Sequence, residues 1–263
     1  MEALQPLPEK DWRAAGPPDI SHIITEDDTP VDNMFSEKQQ RLLTESLNIS
    51  WRPGRPFLAA ANVGIFYATH EPPIVPDMFL SLDVRAPDDL WEKRNRSYFL
   101  WEYGKPPEVA VEVVSNTKGG EASGKFVTYA KVGVRYYVIL DPLHQIQQET
   151  LRVYELASGS YIPKLGSYLP GTGLGVKLWE GVFEEAHDCW LRWCDRDGRL
   201  ISSGTERAEQ AENRANSEHE RAEKQRILAE KQRMRADSEH EWSEILLAKL
   251  RSMGVDPDSL KNG

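Results

Sequence analysis

Val109-Ala110-Val111-Glu112-Val113-Val114, then Gly119-Gly120, a helical stretch over 121–132, Gly133, and Tyr136-Tyr137-Val138-Ile139-Leu140-Asp141-Pro142 form the passage that decides the fold. The first run is apolar on both faces except at Glu112, the pattern of a strand inside a sheet that is covered on both sides. Gly133 stands where a helix ends through a left-handed residue. The second apolar run is stopped by Asp141-Pro142. A strand, a helix and a strand of these lengths predict a right-handed crossover in a sheet with parallel character.

Towards the N-terminus, residues 77–84 alternate in part and predict a strand. Pro56–Tyr67 predicts two strands around Asn62. Ser36 with Gln39 three residues on has the form of a capping box, and Leu42, Leu43 and Leu47 give a helical stripe, so a helix is expected over 36–47. Residues 85–107 are charged and aromatic and are expected to be a long loop, a feature that tends to be functional or disordered. Residues 1–33 are proline-rich and acidic and are expected to form a mobile arm or extended strap. Towards the C-terminus, Leu151–Leu156 and Ser160–Lys164 flank Ser158-Gly159 as a hairpin. Gly171–Gly175 and Leu178–Phe183 are expected to lead out of the core, with Trp190–Trp193 as a last strand before a turn at 195–198.

From about residue 205 the composition changes. Alanine recurs every seventh residue at Ala208, Ala215, Ala222, Ala229 and Ala236, while positions three later are mostly Glu or Gln. This heptad array has a thin seam and predicts a long solvated helix or weak coiled coil, roughly 70 Å long. Trp242, Ile245, Leu246, Leu247 and Leu250 near its end are the residues able to anchor a partner. The expected organisation is an arm (1–33), an α/β domain with a mixed sheet flanked by helices (34–200), and a helical tail (201–263).

Charge and composition bound the function. The net charge is −10; the tail 201–263 holds 11 Lys/Arg against 13 Asp/Glu, so the body carries −8. An acidic body disfavours strong non-specific nucleic-acid binding, which needs clustered cations. The visible basic cluster is Arg52, Arg55, Lys93, Arg94 and Arg96. No apolar stretch approaches a membrane span, and MEALQPLPEKDW lacks the form of a secretory signal. The two cysteines, Cys189 and Cys194, suit a reducing compartment, and a cytoplasmic protein is expected.

Three residues carry the chemistry. A carboxylate at Glu112, within a two-sided apolar strand, costs several kcal/mol unless it is paired or metal-bound. A salt bridge answers that cost, as does a place in a metal site or cleft. Asp77 after Pro76 is a turn residue or an acid, and Lys125 on the next helix pairs with Glu121 or faces the acids. Two carboxylates and an ammonium at one sheet edge can hold a divalent ion and polarise a phosphodiester. Asp83 is a rival acid. Tyr129 is read mainly as core, with phosphate contact as the alternative. His187, Cys189 and Cys194 fit no common zinc spacing and are expected to be buried packing. Gly171-Thr172-Gly173-Leu174-Gly175 lacks a following Lys-Ser/Thr and is expected to be a plain loop.

The order of these residues resembles the Uma family of restriction endonucleases, within the PD-(D/E)XK nuclease superfamily. Pro76-Asp77, Glu112-Val113-Val114-Ser115, Lys125–Ala130 and Gly133–Pro142 carry the resemblance, which covers about residues 36–185. Val114 stands where the superfamily usually has a lysine, which puts that role on Lys125, and Asn116 stands where a proline is common. The resemblance implies a restriction-endonuclease-like fold and a DNA endonuclease with Asp77, Glu112 and Lys125 as catalytic residues. It implies Mg²⁺ or Mn²⁺ held by Asp77, Glu112 and the carbonyl of Val113, with Lys125 orienting the water or neutralising the transition state. The alternative is a catalytically silent nuclease-fold module that binds partners or forms a homodimer through residues 205–253.

Overall fold

The computed structural model describes residues 33–115 and 124–254. Most of the arm, together with Asn116, Gly119-Gly120 and Glu121, lies outside them. The chain divides into two compact units after Ser203.

The first unit opens with α1 (Met34–Ser50). Its cap is Asn33, whose Oδ1 accepts the Ser36 N–H at 2.9 Å. The capping box expected at Ser36 is therefore wrong: Ser36 lies inside the helix and is buried. Gln39 instead reaches across the core, donating to the Leu191 carbonyl and accepting the Leu191 N–H, both at 2.8 Å.

Six strands form the main sheet. In chain order they are β1 (Phe57–Ala61), β3 (Met78–Leu82), β5 (Val109–Val113), β6 (Tyr136–Leu140), β7 (Leu151–Ala157) and β8 (Ser160–Pro163). The spatial order is the same, and only β5 and β6 are parallel. The sheet is mixed, and β3, β5 and β6 are buried along their whole length. That explains why residues 77–84 alternate only in part: both faces of β3 are covered. Between β5 and β6 lies α3 (Phe126–Val132). It stops at Gly133, whose φ of 92° lets its N–H return to Tyr129 and Ala130. Positive φ at Ser158 and Gly159 makes the tight β7–β8 turn.

The segment 85–107 is not a plain loop. It contains a 3₁₀ turn (Lys93–Asn95), β4 (Tyr98–Phe99) and the four-residue α2 (Leu100–Tyr103). β4 pairs in parallel with β2 (Ile65–Phe66). Tyr98 is buried, with its hydroxyl on Ser81 and the Lys105 carbonyl, so this stretch is built into the core.

Two apolar layers sandwich the main sheet. Phe79, Ala110, Tyr137 and Ile139 face Tyr129 and Val132 of α3. Met78, Leu80, Val109, Val111 and Val138 face Leu43 and Leu47 of α1. Each fully buried Leu contributes about 1.5–3 kcal/mol. A second sheet closes the α1 side: β9 (Tyr168–Leu169), β10 (Leu174–Phe183) and β11 (Ala186–Cys194), all antiparallel. Residues 171–183 thus fold back rather than lead out, because Leu174, Val176, Leu191 and Trp193 complete that layer. The Trp193 indole donates to the Leu43 carbonyl at 3.0 Å.

The second unit begins with α4 (Gly204–Ser252), 49 residues with none buried. Trp242, Ile245 and Leu246 are exposed. No helix among the described residues is long and apolar enough to cross a membrane.

Candidate active site

The antiparallel register of β3 against β5 brings the start of one strand beside the end of the other. Asp77, just before β3, thereby reaches the C-terminal end of β5. Its Oδ2 accepts the Val113 N–H at 2.6 Å, and its Oδ1 accepts the Gln40 amide at 3.1 Å. Gln40 in turn accepts the Asn62 side-chain amide at 2.7 Å. Asn62, with φ of 53°, also donates its backbone N–H to the Asp77 carbonyl at 3.2 Å. The left-handed conformation is one that Asn tolerates, and from it Asn62 reaches the Asp77 main-chain carbonyl with its N–H and Gln40 with its side-chain amide.

Glu112 points from β5 to the α3 side, in line with Ala110 and Val114. It is fully buried. Lys125, at the N-terminal edge of α3, donates to Glu112 Oε2 at 2.7 Å. One turn later the Tyr129 hydroxyl donates to Oε1 at 2.6 Å. Burial pushes the Glu112 carboxyl up to about 8, and the nearby charge of Asp77 adds to this, while Lys125 and Tyr129 oppose it. Burial, and then the charge of Glu112, push the Tyr129 hydroxyl well above its ordinary range.

A cleft of about 660 Å³ opens over this edge, lined by Asp77, Lys125, Asn62, Tyr67 and Thr128 among others. Asp77 and Lys125 face it, whereas Glu112 sits behind them with Lys125 against one of its oxygens. Gln40 and Asn62 were not picked out in the sequence. The usable signal for Gln40 was its helical spacing from Leu43 and Leu47, which puts a buried amide on the apolar stripe.

Other candidates fall elsewhere. Asp83 is at the opposite end of β3 from Asp77, exposed and paired with Arg55 at 3.5 Å. Asp141 is buried and caps the loop after β6, accepting N–H groups of Gln145, Ile146 and Gln147. His187 is exposed and Cys189 half-buried on β11, which corrects the expectation of buried packing; Cys194 is buried. The Thr172 side chain closes its own turn, so the glycine-rich stretch is a loop entering β10. Of the basic cluster, Arg52 binds carbonyls at the end of α1 and Arg94 pairs with Glu92. Among the described residues no three His, Cys, Asp or Glu side chains group as a metal cluster.

The fold and this edge define a class: a mixed-sheet α/β protein with two acids and an ammonium gathered at the end of a central parallel pair. The model of the Uma2 family, described as "Putative restriction endonuclease", matches residues 24–171, more than half of the chain, and the chain belongs to that family. Among solved structures it is similar to one described as a putative nuclease belonging to DUF820 from Anabaena variabilis. That likeness has 19% identity and a TM-score of 0.37, covering 51% of this chain and 69% of the other. No curated protein compared with the chain matches it.

Proposed function

We propose that the protein hydrolyses DNA phosphodiester bonds with Mg²⁺ or Mn²⁺, through Asp77, Glu112 and Lys125 in a nuclease-like domain spanning 34–200. The observation that carries this reading is Glu112, a fully buried carboxyl placed beside a second acid and behind a cleft. Such an arrangement is costly for stability and is typical of functional sites.

The donor set fits a hard divalent ion. Asp77, Glu112 and the Val113 carbonyl offer only oxygen, and Mg²⁺ commonly takes one or two carboxylates and keeps several waters. When bound, the ion supplies Lewis acidity and a water of lowered pKa. Gln40 and the Val113 N–H fix the Asp77 carboxylate. Tyr129 fixes Glu112 from behind. Lys125 is partly exposed and faces the cleft, where its ammonium neutralises charge growing on the phosphate. A cytoplasmic location belongs to the same reading.

Removing that ammonium is expected to slow cleavage by about a hundredfold or more. Supercoiled plasmid incubated with Mn²⁺ or with EDTA checks it: wild type nicks or linearises the DNA only with metal, and Lys125→Ala does so far more slowly. Equal cleavage by both proteins, or cleavage in EDTA, contradicts the assignment.

A second reading, a catalytically silent module acting through the tail, is favoured by the net charge of −10 and by a 49-residue helix with no buried residue. Plasmid that stays intact with Mn²⁺ and wild-type protein supports it.

A further inference from the structure

We infer that the pocket beneath residues 86–103 receives an unpaired nucleobase, making DNA with an extrahelical or single-stranded nucleotide the preferred substrate; this rests on the nuclease reading above. The pocket measures about 460 Å³, within the range of about 300–1,000 Å³ that small-ligand sites occupy. Its floor is the outer strand of the main sheet, where Leu58 and the small Ala60 leave room beside Phe79. Its wall is preformed: the rings of Tyr98 and Tyr103 stack at 4.3 Å with planes 4° apart. Tyr98 is further pinned by the Ser81 hydroxyl and the Lys105 carbonyl.

Trp91 lines the same pocket, yet its residue is 82% exposed. Its backbone is fixed, the N–H on Asp89 Oδ1 and the carbonyl on Arg96 Nε, both at 2.8 Å. The indole is thus presented rather than packed, at a cost that a stacking partner would offset. Arg96 also lines the pocket, and Lys93 stands three residues before it. Among the described residues neither cation forms an ion pair, in a chain with ten more negative than positive charges. An apolar aromatic slot with the Arg96 guanidinium at its rim complements a flat base carrying a phosphate. A base stacked within a duplex cannot enter such a slot; an unpaired one enters at little cost.

The position agrees with use by one substrate. Val63 lines this pocket and Asn62 lines the acid cleft. Phe79 of the pocket is only two residues along the chain from Asp77, about 7 Å in an extended segment.

The test is fluorescence anisotropy in EDTA, with three labelled duplexes: one with a single bulged thymidine, the same with an abasic bulge, and one fully paired. Wild type is expected to bind the bulged thymidine about tenfold more tightly than the other two. Trp91→Ala should erase that preference, and Trp101→Ala, an exposed ring outside the pocket, should keep it. Arg96→Ala should weaken all three duplexes and flatten their salt dependence. Equal binding of the three duplexes by wild type overturns the inference, as does a preference that survives Trp91→Ala. A Trp91-dependent complex with a peptide of residues 1–32, in place of base preference, overturns it in favour of a proline-rich ligand. Binding is read without cleavage. Intact metal-dependent cleavage without base preference counts against the pocket alone; base preference without cleavage counts against hydrolysis alone.

Discussion

Glu112 concentrates the cost of the site in one proton. Its folded carboxyl is raised to about 8 by burial first and by Asp77 second, against about 4.3 in an unfolded chain. Between those values the folded state holds a proton that the unfolded state has released. Stability from this group is therefore full below the unfolded value and is lost as pH rises towards about 8, with a slope on the order of 1 kcal/mol per pH unit. In EDTA, the melting temperature of wild type should fall between about pH 5 and pH 8, and Glu112→Gln should remove that part of the slope. A matching slope in both proteins would place the titration elsewhere. Glu112 and Asp77 were legible because a charge in an apolar strand, or after a proline, stands out locally; Lys125 entered through the family resemblance, since Val114 stands where a lysine is usual. Gln40 and Asn62 were not, because their meeting with Asp77 spans 37 and 15 residues of sequence and depends on how α1 lies across the sheet.

At the scale of elements, the β5–α3–β6 unit was readable because β5 and β6 are short apolar runs and Gly133 ends the helix. In the β9–β10–β11 sheet only the strand at Trp190–Trp193 was readable; that these strands pair and which layer they complete is decided by their packing against α1. β4 was missed for a similar reason, being only two residues long with a partner more than 30 residues earlier. Gln39 makes the α1–β11 join specific, since both backbone groups of Leu191 depend on its amide. Leaving those buried groups without a partner costs about 1–3 kcal/mol. Gln39→Ala should lower the urea midpoint correspondingly without changing its m-value. An unchanged midpoint would mean that the second sheet is held by its apolar contacts alone.

The whole molecule joins an acidic folded body to a long charged helix. The apolar clusters of the body are built from residues up to Ile201, so a chain ending at residue 204 should keep its far-UV signature for the sheet and its cooperative melt. We propose that the tail forms a homodimer through residues 205–253. Light scattering should then give a dimer for the full chain and a monomer after the deletion; the same oligomeric state in both would remove that role. We propose as the central role of the acid pair, buried Glu112 and half-buried Asp77, that it holds a divalent cation. Calorimetric titration with Mn²⁺ near pH 7, in buffers of different ionisation enthalpy, tests it most directly. Because the Glu112 carboxyl is raised to about 8, metal binding should release about one proton, making the measured heat depend on the buffer, and Glu112→Gln should abolish both the binding and that dependence. Equal Mn²⁺ binding by wild type and Glu112→Gln, with no proton released, would contradict it.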